Sequence, residues 1–344
     1  MLRAAFYVLL PMLLAGSSAP RPFPVSDHCD GYRFFNPGIA IDKSLVEVWR
    51  MLNSPTRAHW PERVANGSYP PPPLDVPPGD IAITPIGHAT VLIQFTGLNV
   101  LTDPMYSERA SPVSWAGPER ARDPGVAFEA LPPIDVVVLS HNHYDHMDMP
   151  TLRRLRDRWH PLIVTGLGNA RLLASHGLEQ VKELDWWQSI ELRSNVRLTF
   201  VPAQHWSGRG FGDRRRMLWG GHWFDAPAGR VYFAGDTGYP AQFHEIRQRL
   251  GAPDIALLPI GAYEPRWFMA AQHLNPEEAV RAHLDLGTRL SIGMHFATFH
   301  QLSDEAIDAP VQALVIARRE HSVPDDAFRV LGFGETLTSS GLVQ

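Results

Sequence analysis

From Ile81 onward the chain alternates short apolar runs with amphipathic stretches, and each pattern predicts an element. Ile81–Ile86, Val91–Phe95 and Asn99–Thr102 are β-rich runs, with Thr96-Gly97 as a tight turn between the last two. Ile134–Leu139 reads IDVVVL, a continuous apolar run typical of a buried strand. In Met149–Trp159, Leu152 and Leu155 share one helix face, while Arg153, Arg154, Arg156 and Arg158 fall on a solvated one. Val196–Val201, Met217–Trp223, Arg230–Ala234 and Ile255–Pro259 read as further strands, and Ala241–Leu250 as a helix. Asn275-Pro276-Glu277-Glu278 starts another helix: Asn at the cap, Pro at the first position, Glu three residues after the cap. Ser303 is a similar cap for a helix over Asp304–Arg319. The order predicts one α/β domain, residues 81–344, of two packed sheets flanked by helices.

The first 80 residues follow neither pattern. Residues 20–80 contain Tyr69-Pro70-Pro71-Pro72-Pro73 and Pro77-Pro78, and read as an extended wrapping segment. Residues 1–19 place Arg3 before an apolar stretch, Ala4 to Ala15, followed by the small residues Ser17-Ser18-Ala19. That is the layout of a secretory signal, and the stretch is short of the roughly 20 apolar residues a membrane span needs. Pro20 after the best cleavage position keeps an uncleaved anchor as the alternative. Either way the expectation is export, to a periplasmic or membrane-associated location.

Composition narrows the chemistry. Lys and Arg total 31 against 36 Asp and Glu, a net charge of −5, which disfavours a general nucleic-acid binder. There are 16 His but 1 Cys, so neither an internal disulfide nor a thiolate zinc site can form. Any metal must be held by imidazole and carboxylate.

Directly after the IDVVVL run comes Ser140-His141-Asn142-His143-Tyr144-Asp145-His146-Met147-Asp148. Burying three His and an Asp in so short a span without partners would cost several kcal/mol. In a loop leaving a strand, His141 and His143 can point one way while Asp145 and His146 fold back across from them. Two adjacent ligand sets suit two metals about 3.5–4 Å apart. Ligands of this kind favour two Zn²⁺, with Mn²⁺ or Fe²⁺ as alternatives. His205, Asp236 and His295 each close an apolar run, LTFVPAQH, VYFAGD and LSIGMH, where a loop-borne site would be built.

HxHxDH followed by a distant His, an Asp and a His is similar to the metallo-β-lactamase superfamily signature. Longer strings narrow the likeness. Gly87-His88-Ala89-Thr90-Val91, Leu101-Thr102-Asp103-Pro104, Leu184-Asp185-Trp186-Trp187, Gln204-His205-Trp206, Phe233-Ala234-Gly235-Asp236-Thr237-Gly238-Tyr239, Pro259 to Met269, Gln272-His273 and Pro276 to Val280 resemble the N-acyl-phosphatidylethanolamine-hydrolysing phospholipase D family. The resemblance implies an αβ/βα four-layer sandwich. It also implies one zinc on His141, His143 and His205, a second on Asp145, His146 and His295, and Asp236 bridging. The implied reaction is attack on phosphorus by a hydroxide shared between the metals, releasing N-acylethanolamine and phosphatidic acid.

By the same resemblance Asp145 and His273 are candidate catalytic groups, His273 holding phosphate or protonating the leaving oxygen. His88 and Asp148 are either partners of the ligands or, respectively, a turn-capping His and a solvated acid. His88, His273 and Trp267 are substrate-contact candidates, and Trp206 and Phe268 could line an acyl path. Arg266 is expected to pair with Glu264, the alternative being a phosphate, and Trp186-Trp187 to pack in the core. Ser207–Arg216, rich in Gly and Arg, either touches lipid phosphates or is a solvated loop. No amphipathic insertion stands out beyond the N-terminal segment. The expected partner is a phospholipid at a membrane surface, no nucleic acid is expected, and a homodimer is compatible with the reading. The competing readings are a same-fold hydrolase of a lactone, β-lactam or soluble phosphodiester, and a zinc-holding scaffold.

Overall fold

A computed structural model describes residues 21–210, 212–240, 242–300 and 302–342. The signal or anchor expected over residues 1–19 lies outside them. Among the described residues no helix is long and apolar enough to cross a membrane.

Two seven-stranded sheets form the body. The first contains β1 (Ile81–Gly87), β2 (Thr90–Phe95), β3 (Leu98–Thr102), β4 (Val136–Leu139), β5 (Leu162–Gly166) and β6 (Val181–Leu184) side by side in that order. The second contains β7 (Ser189–Glu191), β8 (Arg197–Val201), β9 (Gly221–Ala226), β10 (Gly229–Phe233), β11 (Ile255–Pro259), β12 (Leu290–Met294) and β13 (Phe328–Arg329). A last strand, β14 (Leu337–Thr338), returns to pair with β1. Each sheet is antiparallel through its first strands and then parallel: β3 to β6 in one, β10 to β13 in the other. Parallel strands need crossovers, and α2 (Met149–Trp159), α4 (Gln242–Leu250), α6 (Pro276–Leu286) and the short α3 (Ala170–Ala174) supply them. The shared core runs between the sheets: Phe95 on β2 meets Phe224 on β9 with ring centroids 5.9 Å apart.

The predicted α6 start holds. Asn275 accepts a hydrogen bond from the Glu278 backbone, and the Glu278 carboxylate accepts one from the Asn275 backbone. Other boundaries move for visible reasons. The strand expected at Met217–Trp223 begins at Gly221, because Leu218 and Gly220 donate backbone hydrogen bonds to Leu167 and Ser140 instead. The helix expected from Asp304 starts only at Ala309, as α7 (Ala309–Glu320). Asp304 and Glu305 are drawn away: Asp304 accepts from Ser54, Thr56 and Arg57, and Glu305 from the backbone of Ala262 and Glu264. The Pro-rich segment is not wholly extended. It contains α1 (Leu45–Leu52), nucleated by a capping box between Ser44 and Glu47. A short helix, α5 (Arg266–Met269), precedes the His273 region.

Candidate metal centre

The cluster stands beyond the carboxyl ends of β4, β8, β10 and β12, where side chains on loops converge over the sheet edges. The Ser140–Asp148 loop leaves β4, His205 follows β8, Asp236 follows β10, and His295 follows β12. A register shift at Pro85–Gly87 in β1 sends His88, at φ 55°, to the same place. All seven ligand candidates meet there, and all but His143 and Asp145 are fully buried.

In one half, Nδ1 of His143 lies 2.8 Å from Nε2 of His141 and 3.3 Å from Nε2 of His205. Burial holds all three imidazoles neutral: His143 and His205 are pushed down to about 3, and His141 well below its ordinary value. At most one proton fits between any two of these nitrogens, so lone pairs remain aimed at one point. A cation roughly 2.0–2.1 Å from each nitrogen satisfies them, so the donor set fits a metal.

The other half is richer in charge. Nε2 of His146 and Nε2 of His295 are 3.2 Å apart, and lie 3.5 and 3.7 Å from Asp145 Oδ2. Asp236 reaches both at 3.2 and 3.1 Å, and also stands 3.8 Å from His205 Nε2, so it faces both halves. Burial opposes protonation of His146 and His295, but the Asp236 and Asp145 carboxylates outweigh it, and His295 rises to about 9. The same imidazoles hold Asp145 and Asp236 well below the usual carboxylate range despite burial.

Outer partners fix which nitrogen faces inward. His141 Nδ1 bonds Ser140 Oγ at 2.9 Å, His205 Nδ1 bonds the Gln272 carbonyl at 3.0 Å, and His146 Nδ1 bonds Asp103 at 2.7 Å. Asp103 is fully buried and also accepts from the Ser140 backbone and hydroxyl at 2.7 and 2.5 Å. No role was foreseen for it. Its signal was a polar residue closing β3, next to the strand that carries the His-rich loop. Asn36 was also missed: its side chain accepts from the His205 backbone N–H and donates to the His205 carbonyl.

The remaining candidates divide. His88 Nε2 is 2.9 Å from Asp145 Oδ2 and orients that carboxylate. Asp148 touches no ligand; it binds Ser107 and Thr151 and ties the loop to the body. His273 is buried, and its Nδ1 has no hydrogen-bond partner and sits 3.8 Å from Asp236. Trp206 packs on His143 and donates to Gln272. Trp267, expected at the substrate, does not line the cleft; it is 42% exposed with Arg50 stacked over it. Phe268 packs against Trp267 and lies near Lys43, also outside the lining. Arg266 pairs with Glu278 at 2.7 Å rather than with Glu264, whose carboxylate takes only the Arg266 backbone N–H. In the Ser207–Arg216 segment, Arg209 binds the carbonyls of Asn142 and Met147 beneath the His-rich loop, and Arg214 and Arg215 pair with Asp42. Those three arginines are occupied structurally, leaving Arg216 exposed. Trp186 is buried as expected, whereas Trp187 is only partly so.

Of the ligand candidates, His143, Asp145, His205, Asp236 and His295 floor a cleft of about 260 Å³, walled by Tyr144, Trp206, Gln272, His273, Ala110 and Leu302. Fold and cluster together define a metal-dependent hydrolase of the metallo-β-lactamase fold. Residues 98–296 match the Beta-lactamase superfamily domain. The chain belongs to that superfamily and, within it, to the family of N-acyl-phosphatidylethanolamine-hydrolyzing phospholipase D 1 of Caenorhabditis elegans, with 38% identity over 268 residues, 74% of this chain and 75% of that protein. The mitochondrial N-acyl-phosphatidylethanolamine-hydrolyzing phospholipase D of Saccharomyces cerevisiae is 33% identical over 235 residues, 67% of this chain and 50% of that protein. A solved structure of a possible metal-dependent hydrolase from Veillonella parvula superposes with a TM-score of 0.60 at 18% identity, over 74% of this chain and 98% of that one, a likeness of fold alone.

Proposed function

We propose that the protein hydrolyses N-acyl-phosphatidylethanolamine as a phospholipase D, using two divalent cations, Zn²⁺ first among them. The observation that supports the two-cation site is the shared carboxylate, Asp236, which faces both ligand sets at the floor of a single cleft; the substrate is taken from the likeness to the Caenorhabditis elegans phospholipase. His141, His143 and His205 would hold one ion, Asp145, His146 and His295 the other, with Asp236 between them. Ions so held lower the pKa of water and draw charge from a phosphoryl oxygen.

The chain's own groups do the rest. Trp206, Tyr144 and Leu302 form the wall against which the phosphodiester would lie. His273, held neutral by burial and pushed down to about 3, offers Nδ1–H to a phosphoryl oxygen in the appropriate tautomer. In balance, one water is consumed, the bond from phosphorus to the ethanolamine oxygen breaks, that oxygen gains a proton, and phosphatidic acid remains. Metal-loaded protein on vesicles containing the N-acylated lipid should release N-acylethanolamine, and a chelator should stop it. No release from those vesicles, with turnover of a lactone, β-lactam or soluble phosphodiester instead, overturns the substrate assignment.

A further inference from the structure

Large apolar side chains are normally the buried ones, yet α1 is built the other way round. Leu45, Val46, Trp49 and Leu52 occupy one helix face and are 86, 73, 67 and 60% exposed, while Met51 alone is buried from the opposite face. Their spacing of one, four and seven residues forms a single stripe directed at solvent. The helix is anchored on the cleft rim at both ends. Beyond its C-terminus Ser54, Thr56 and Arg57 bind Asp304, two residues from Leu302 in the cleft wall. Before its N-terminus Lys43 Nζ reaches the Trp267 carbonyl at 3.5 Å, and the chain runs on from there to Gln272 and His273. A second apolar outcrop stands on a loop whose base, Ala110, lines the cleft and is closed by a hydrogen bond to Pro118. Its tip carries Trp115, 80% exposed, and Val113.

Charge and volume identify what covers this face. Lys43 and Arg50 border the stripe and have no carboxylate in salt-bridge reach among the described residues. Of the nearby acids, Glu47 interacts with Lys43 and Asp42 pairs with both Arg214 and Arg215, so Lys43, Arg50, Arg214 and Arg215 outnumber Glu47 and Asp42. The uncompensated charge beside the apolar stripe is therefore positive, which is the layout of an interfacial helix on anionic lipid. The cleft, at about 260 Å³, is smaller than a pocket for one drug-sized ligand, so the acyl chains of a phospholipid must stay outside it. We infer that the outward face of α1, with Trp267 and the Val113–Trp115 loop tip, docks on a phospholipid bilayer and holds the cleft mouth against it. This names the partner of the site proposed above and rests on that reading.

The test labels Val46→Cys with an environment-sensitive fluorophore in the full chain; the one native cysteine, Cys29, is buried. Vesicles of phosphatidylcholine with phosphatidylglycerol should shift its emission to the blue. Leu45→Ser with Trp49→Ser should abolish that shift. The same pair should slow hydrolysis of vesicular N-acyl-phosphatidylethanolamine by about tenfold or more, leaving a dissolved short-chain analogue within about twofold. No shift on vesicles that the wild-type protein does hydrolyse overturns the docking surface and spares the function. A shift without hydrolysis of the N-acylated lipid supports docking and overturns the substrate reading. Emission already blue without vesicles overturns docking: dependence on protein concentration would assign the face to a second copy, and independence to the chain itself.

Discussion

The floor of the cleft and the segment that wraps it depart from the burial rule in opposite senses. At the floor, five His and two Asp are packed where apolar side chains usually go: Asp145 and Asp236 offset the charge of His146 and His295, while His141, His143 and His205 stay neutral and converge on one point. In residues 21–80, the apolar side chains of α1 face solvent, and much of the attachment is polar. Asn36 holds the His205 backbone, His28 lies between Asp27 and Asp185 at 2.6 and 2.8 Å, and Asp42 pairs with Arg214 and Arg215. The floor is fixed by many interlocking short contacts. The wrap is held at separate points, each of which can be weakened alone, and one of them reaches a ligand.

The largest effect should come from Asp236→Asn, which disturbs both halves at once. Metal content per chain, read by elemental analysis, should fall, and activity should drop by more than the roughly 10–100-fold typical of losing an outer partner. Retained metal and activity would separate the halves and break the picture of a shared carboxylate. Asp103→Asn should weaken metal binding by about 10–100-fold, seen in chelator competition, because His146 loses the acceptor that fixes its tautomer.

Asn36→Ala sharpens the contrast between wrap and floor. It removes two buried hydrogen bonds to the His205 backbone, a loss of about 1–3 kcal/mol in urea unfolding. Metal affinity should decline less than in Asp103→Asn; an unchanged affinity would make wrap and floor independent. The smallest effect concerns pH. Burial opposes charge on His28, but Asp185 and Asp27 prevail, so its pKa is raised in the folded state. The stabilisation is therefore complete below the ordinary value of about 6.5 and is lost as pH rises through the higher folded value. Hydrogen exchange over residues 21–39 should quicken above that point beyond its intrinsic pH dependence, and His28→Gln should flatten the extra response.

The His/Asp cluster was legible because its chemistry is local: HxHxDH has one economical explanation, and His205, Asp236 and His295 each close a recognisable strand. The strands around them were legible as apolar runs. What escaped depends on neighbours far away in the chain. Asp103 has meaning only once β3 lies beside β4, and Asn36 only once the wrap crosses His205. Arg266 lay nearest Glu264 in sequence, but the start of α6 brings Glu278 to its guanidinium. The delayed start of α7 follows from Asp304 and Glu305 serving the rim. α1 went unread inside a Pro-rich segment, although Ser44 and Glu47 form a capping box and Leu45, Val46, Trp49 and Leu52 fall on one helix face; that the stripe faces outward is the part only the structure shows.

The distribution of the ligands has a mechanical side. His141, His143, Asp145 and His146 come from the first sheet, and His205, Asp236 and His295 from the second. Ions held between them would bolt the two sheets together and close long loops, a cross-link that the chain's single cysteine, Cys29, cannot make. Resistance to unfolding then tracks free metal in the surroundings: once binding saturates, each tenfold rise adds about 1.4 kcal/mol per site. A shift in melting temperature would report metal supply directly, with no substrate present.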